Sequence, residues 1–396
     1  MTKVVMISSP IHSVPPTKGA AVEWWMYQVS RRLSQFEPHI IAICNGDELA
    51  QESCSGVIIH RIKFGRIYKR LFQKITRIDP FSYGRQAVQI IDQIGADIVH
   101  VHNSPKLYLE LRARDQRSAR KYVLHMHNEK KDHGLPADCD LFVVSKFLER
   151  YFRDTLPNAN ITTIPNGVDT ALYVPKWQRT NTATNDEIQG QIPPGKKVVL
   201  YAGRMSPEKG PLKLVKAFLA LLEQRRDVFL VLAGEFSGRE ESDRTAYGAA
   251  IKSECAKIQD HCVILGDIAP QSMQEVYAIA DLVVMPSVFS EPFGMVAIEA
   301  MAAGVPVLAA RKGGLMEIIE DRVTGIFIRD EDQPRAFANQ ISEILDDEEL
   351  IARVQQNARR YVEPRFRWEM VAERTEAVYR STMVLSQSFR AVEDDR

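Results

Sequence analysis

Lys197-Val198-Val199-Leu200-Tyr201-Ala202-Gly203 repeats, half a chain later, the opening run Lys3-Val4-Val5-Met6-Ile7-Ser8-Ser9. Each is a short apolar stretch that breaks into a loop, as a buried parallel strand does before its crossover. After the first run come a helix predicted over Ala21–Leu33 and strands over His39–Cys44, Ile98–His102, Tyr122–His127 and Leu141–Val144. After the second come strands over Val228–Ala233, Cys262–Leu265, Leu282–Met285 and Val305–Ala309, with helical stretches between them. Strand and helix alternate, and they do so twice. This predicts an α/β chain of two Rossmann-like domains, with ligands bound in a cleft beyond the carboxyl ends of the strands.

The chain of 396 residues is too long for one comfortable core, which agrees with two domains. Between the halves, Thr170 to Pro194 loses the rhythm: Gln178 to Asn185 has no apolar period, and Pro193-Pro194-Gly195 ends the stretch. The expected division is therefore 1–175 and 176–367, with residues 368–396, helical from Trp368, packing back on the first domain. Apolar residues make up 45% and charged residues 26%, the balance of a soluble globular protein. Cations and anions number 51 each, so no global field points to nucleic acid. The five cysteines form no CxxC pair, which suits a reducing compartment better than a disulfide framework or a zinc ribbon. The first apolar run fits a buried strand rather than a signal-peptide core, and no apolar run is long enough to span a bilayer. A cytoplasmic location is expected.

Two loops carry the chemistry. Glu291-Pro292-Phe293-Gly294 leads into an apolar helix that ends at Gly304, with Pro306 just beyond. A helix N-terminus behind a glycine offers backbone N–H groups and a positive dipole end to a phosphate. Glu291 and Glu299 bracket that end and can accept hydrogen bonds from sugar hydroxyls on either side of a diphosphate. Gly203-Arg204-Met205-Ser206-Pro207-Glu208-Lys209-Gly210 follows the strand ending at Ala202. Its arginine fork and lysine point charge form a pair suited to holding a diphosphate, unless both are merely solvated cations.

These residues carry a resemblance. Gly203-Arg204 with Lys209-Gly210, Ile164-Pro165-Asn166-Gly167-Val168-Asp169, the Glu291/Glu299 spacing, Ala300 to Val307 and Gly313-Gly314 resemble glycosyltransferase family 4. The likeness implies a GT-B fold with an N-terminal acceptor domain and a C-terminal nucleotide-sugar donor domain. It also implies retaining transfer without a metal ion, a hexosyl group passing from a nucleotide diphosphate sugar, taken as UDP-linked, to an acceptor hydroxyl. By similarity, Arg204 and Lys209 neutralise the leaving diphosphate, Glu291 holds a donor-sugar hydroxyl and Glu299 the ribose. Gly203, Phe293, Gly294 and Met295 would face the diphosphate and sugar, and Ile268 the base. Gly19 belongs to the family's glycine-rich loop after the first strand, with Ala20 in place of its second glycine and Glu23 on the acceptor side. His127 matches the family histidine beside the donor sugar. The acceptor would be a sugar, a glycolipid or a small molecule. A nucleotide-sugar epimerase or hydrolase, or a non-catalytic nucleotide-sugar binder, would use the same clamp.

Three features stand outside this set. His100 with His102, and His125 with His127, share strand faces and invite a zinc site; no further ligand motif supports one, so no cofactor and no metal are expected. Residues 61–85 hold eight cations against Asp79, with apolar residues at helical spacing. They predict a basic amphipathic helix that packs on the first domain or lies on an anionic membrane, peripheral to its inner face. Trp24 and Trp25 could stack on a sugar, though core burial is the commoner fate of tryptophan on such a helix.

Overall fold

The computed structural model describes residues 1–16, 19–65, 82–115, 120–130, 134–178, 186–236 and 241–393. The chain divides into two compact units, Met1–Asn166 with Trp368–Arg396, and Gly167–Arg367. The division precedes the Thr170–Lys176 stretch instead of following it. The reason is Arg359, whose guanidinium donates to the carbonyls of Thr170 and Tyr173, both at 2.8 Å, and of Ala302 at 2.5 Å. Those bonds tie the stretch into the second unit. Tyr173 is buried there, so the expected exposed linker begins later, and residues 179–185 of it lie outside the described residues.

The first unit is built on β1 (Thr2–Ser8), β2 (Phe36–Ile43), β3 (Gln51–Cys54), β4 (Val57–Ile62), β5 (Ile98–His102), β6 (Lys121–Met126), β7 (Asp140–Val143) and β8 (Asn160–Thr163). Their order across the sheet is β3-β4-β2-β1-β5-β6-β7-β8. The pairs are parallel except β3 with β4. β1 lies between two strands under helices, which is why residues Val4–Ile7 are all apolar and wholly buried. Ser82 caps the helix Tyr83–Ile94 by accepting from Arg85 N–H, and Gly95 ends it with φ 71°. Helix Trp368–Glu393 belongs to this unit; its Trp368, Val371, Ala372 and Tyr379 join the core around Trp25.

The second unit holds β9 (Lys197–Ala202), β10 (Val228–Ala233), β11 (Cys262–Gly266), β12 (Leu282–Met285), β13 (Val307–Ala309) and β14 (Ile326–Phe327). They run parallel in the order β11-β10-β9-β12-β13-β14. Among the parallel strands the order reverses direction at β1/β5 in the first unit and at β9/β12 in the second. Loops leaving the carboxyl ends of such neighbours diverge and leave a crevice, where doubly wound sheets bind ligands.

Four strands escaped the sequence reading: β3, β4, β8 and β14. β3, β8 and β14 are edge strands of two to four residues; β3 and β8 have little apolar content, and β14 is only Ile326–Phe327. β4 corrects the expected basic helix at its start. Arg61 lies in this strand, buried, with its guanidinium donating to Val14 O at 2.7 Å, Leu49 O at 3.1 Å and Glu52 at 2.5 Å. Its end is corrected too, since Arg85 belongs to the capped helix; residues 66–81 of the expected segment lie outside the described residues.

Candidate active site

In the second unit, the loops after β9 and β12 meet at the place where the strand order reverses. The first turns through Pro207–Lys209 and passes Gly210, where a side chain would strike the Pro286 carbonyl at 2.1 Å. Val288 N–H donates to Glu208 O at 2.8 Å and joins the two loops. The sequence forces this close approach through one glycine.

The meeting places Lys209 on Glu291. The ammonium donates to both carboxylate oxygens, at 2.7 and 2.8 Å, and Ser287 Oγ donates to Oε1 at 2.6 Å. Glu291 is buried, and Lys209 also lies over the Phe289 ring, 4.8 Å from its centre. From behind, Gly314 N–H donates to Glu291 O at 2.6 Å, and Gly313, with φ 58°, leaves no room for a side chain beside the same carbonyl. The Gly313-Gly314 pair is therefore a backbone clamp on Glu291. An ammonium has three N–H donors, so two stay on the carboxylate and one can serve an incoming anion. Arg204 differs. Its backbone carbonyl accepts from Tyr201 at 2.6 Å, while its side chain is 61% exposed with only a loose 3.8 Å pair to Glu208.

Just beyond Glu291, Gly294 has φ 116° and starts the helix Met295–Ala302. A Cβ at Gly294 would sit 2.6 Å from Leu315 Cδ2. The first N–H groups of this helix face the same end as Glu291 and Lys209, with the positive dipole end behind them. Phe293 is buried edge-on against Phe366, and Met295 is half-buried at the helix start. Glu299, inside the helix, accepts from the fully buried Tyr277 hydroxyl at 2.8 Å. Burial raises its carboxyl to about 7, with the Tyr277 hydrogen bond acting the other way. Gly203 N–H donates to Ala233 O at 2.9 Å, and the half-buried Ile268 follows Gly266 beyond β11. Gly203, Arg204, Lys209, Glu291, Phe293 and Gly294 thus lie in the segments that follow β9 and β12, and Met295 opens the helix beyond them.

The first unit carries the other named residues. Gly19 is exposed, and Ala20 has φ −137°, an ordinary conformation for alanine, so the missing second glycine imposes no strain. Thr17 and Lys18 lie outside the described residues. Glu23 is buried and accepts from Ser8 Oγ at 2.9 Å; burial raises its carboxyl, opposed by that bond and by backbone N–H donation. Trp25 is core, wholly buried, its indole N–H donating to Pro165 O at 3.2 Å, and Trp24 packs against the same core.

His127, just past β6, has its backbone N–H on Asn103 Oδ1 at 3.3 Å and its Nε2 against His102 Nδ1 at 3.2 Å. Burial pushes its imidazole down to about 3. Its other nitrogen, Nδ1, is also buried. His100, His102 and His125 are wholly buried beside it and bring ring nitrogens within 4.8 Å of one another, the group able to hold a metal ion among the described residues. Ser287 and Tyr277 were missed by the sequence reading, and His102 entered it only as a candidate zinc ligand. Ser287 had a visible signal, since it stands two residues past a strand and four before Glu291; Tyr277 lies inside a helix and carries none.

The chain matches the description "Glycosyl transferases group 1" over residues 183–361 and "Glycosyltransferase Family 4" over residues 22–172. A lipopolysaccharide 1,2-N-acetylglucosaminetransferase of Salmonella typhimurium is 36% identical over 382 residues, covering 94% of this chain and 97% of that one. Among solved structures, a sucrose-phosphate synthase from Thermosynechococcus elongatus superposes with a TM-score of 0.78 at 20% identity, over 97% of this chain and 100% of that one. Anabaena HepE in complex with UDP and glucose gives 0.74 at 20% identity, over 96% and 100%. Both share the fold.

Proposed function

The chain belongs to the group 1, family 4 glycosyltransferases, enzymes of GT-B fold, and on that premise we propose that it is a retaining, metal-independent transferase using a UDP-sugar. The observation that carries the reading is the Lys209–Glu291–Ser287 cluster at the start of helix Met295–Ala302. As the bond from the sugar to the diphosphate breaks, charge builds on the leaving oxygens. The remaining N–H of Lys209 and the helix N-terminus are preorganised partners for that charge, and the exposed Arg204 adds a second cation. They supply the stabilisation that a divalent ion gives in other transferases. Glu291, fixed by two donors and a backbone clamp, is the acceptor for a donor-sugar hydroxyl. Glu299 takes the ribose, Ile268 the base, and Gly19 and Gly203 lie against the phosphates. His127 serves the donor sugar.

The relative from Salmonella acts, by its name, on lipopolysaccharide with N-acetylglucosamine. That supports a hexosyl or N-acetylhexosaminyl donor and a lipid-linked glycan acceptor, with Glu23 on the acceptor side. The cations of residues 63–85, without the buried Arg61, would then hold the enzyme at an anionic membrane surface. Liposome flotation tests this last point; no binding to anionic vesicles at low salt removes it.

The test of the main reading is donor breakdown by the purified chain in EDTA, with UDP-, GDP-, ADP- and dTDP-sugars. Release of UDP from one donor, increased by a lipopolysaccharide or glycolipid extract, is expected. Acceptor-independent conversion would instead indicate an epimerase or hydrolase. A requirement for Mg²⁺ or Mn²⁺ would remove the metal-independent assignment.

A further inference from the structure

β5 and β6 bring three imidazoles to one face of the first unit's sheet. His100 and His102 stand two residues apart on β5, so their side chains share a face, and His125 on β6 is the strand partner of His102. The ring centres form a closed triangle, 4.1 Å from His100 to His102 and 5.3 Å from His125 to each of them. One ring nitrogen from each lies within 4.8 Å of the others. All three residues are wholly buried. The strand partners of His100, Met6 on β1 and Val123 on β6, are apolar, as a sheet interior ordinarily is.

The nitrogens of the three rings fall into two sets. His100 Nδ1 is engaged by the Tyr379 hydroxyl at 2.5 Å, and His102 Nδ1 by His127 Nε2 at 3.2 Å. His100 Nε2, His102 Nε2 and both nitrogens of His125 are buried without a partner. Buried polar atoms in that state cost free energy and call for a partner. A ligating histidine shows the same division, one nitrogen on the ion and the other held by a second group that aims the ring. Zinc sits about 2.1 Å from an imidazole nitrogen, so tetrahedral ligands stand about 3.4 Å apart. The widest pair here reaches that spacing with each ring moving about 0.7 Å.

We propose that His100, His102 and His125 hold a divalent transition ion of the zinc class, which staples the first unit together. The donor set selects the class: imidazoles suit Zn²⁺, whereas Mg²⁺ and Mn²⁺ prefer oxygen ligands. Three imidazoles leave one of zinc's four positions for a water. Glu23, buried and accepting from Ser8 Oγ, sets a carboxylate at the strand partner of His102, and its charge offsets part of the ion's. Tyr379 belongs to helix Trp368–Glu393, so the site joins β5 and β6 to the segment that returns from the far end of the chain. Trp25, on helix Ala21–Ser30, closes the group with its ring centre 4.7–5.6 Å from the three imidazoles. The ion is structural and takes no part in sugar transfer, so the proposal does not rest on the transferase reading.

The full chain, produced in zinc-supplemented medium and passed over a chelating resin, should keep one equivalent of zinc by elemental mass spectrometry. Thermal unfolding of the loaded chain should lie about 5–10 °C above that of chain produced without zinc, the rise expected when the ion is in large excess over its dissociation constant. His125→Leu fills the space with an apolar group; it should fold, hold no zinc and lose the zinc-dependent rise. Tyr379→Phe removes only the partner of His100 Nδ1 and should weaken zinc binding about 10–100-fold. His60→Gln, outside the group, should keep the zinc. A folded wild-type chain that holds no zinc, or zinc retained by His125→Leu, overturns the proposal. So does bound zinc that leaves the thermal midpoint unchanged, since it would then staple nothing. If His125→Leu does not fold, Tyr379→Phe decides, and an unchanged zinc affinity there sinks the assignment.

Discussion

At Gly313 a methyl group would lie 2.3 Å from Glu291 O, in a backbone conformation with φ 58°. Gly313→Ala should destabilise the chain by about 1–3 kcal/mol and shift Glu291, cutting turnover sharply; thermal unfolding and donor breakdown check both, and normal turnover would exclude the clamp. Lys209 is the charge partner of a buried carboxylate. Lys209→Ala should cost about 3–5 kcal/mol, as orphaned buried charges do. Adding Glu291→Gln should recover much of that stability and none of the turnover. Glu299 makes a pH prediction with two signs. Its carboxyl titrates near 7 when folded, so the native state keeps a proton that the unfolded chain has lost. Stability from this group therefore grows as pH falls from about 7 toward the ordinary carboxylate range. Donor binding should go the other way, with KM rising as pH drops through about 7 and the trend flattened in Glu299→Gln. A flat wild-type profile would remove the ribose assignment.

Elements with apolar interiors were legible from the chain, and elements at edges were not. β1, β5, β9, β10 and β12 lie between neighbours and under helices, so their interiors are apolar runs, broken only in β5 by the buried His100 and His102. β3 and β8 are edge strands, satisfied on one side only, and Gln51–Cys54 and Asn160–Thr163 look like loops. β4 was hidden because Arg61 reads as a surface cation, while carbonyl groups and Glu52 satisfy it inside. For the site, glycine spacing and charge exposed the loops after β9 and β12. The Lys209–Glu291 bond was not legible, because it joins positions that only the sheet order brings together. The helix Trp368–Glu393 was readable from its apolar start. Trp368→Ala should cost about 3–5 kcal/mol, since Trp368 is buried in the first unit's core; a thermal midpoint unchanged from wild type would contradict that packing.

Over the whole molecule, the first unit is discontinuous in sequence: Met1–Asn166 needs Trp368 onward to complete it. A chain stopped after Arg367 should lose the cooperative unfolding of that unit, because Trp368, Val371, Ala372 and Tyr379 leave its core, and calorimetry with limited proteolysis would show it. An unchanged unfolding profile would mean that the helix is dispensable. The second unit, by contrast, starts and finishes at one spot. Val168 N–H donates to Phe366 O at 2.7 Å, and Val168 bridges Arg367 in parallel. Gly167–Arg367 is therefore a cassette with its two seams stitched side by side. Exchanging it between relatives takes two splices at neighbouring points, which offers protein engineers a route to swap one unit while leaving the host half whole.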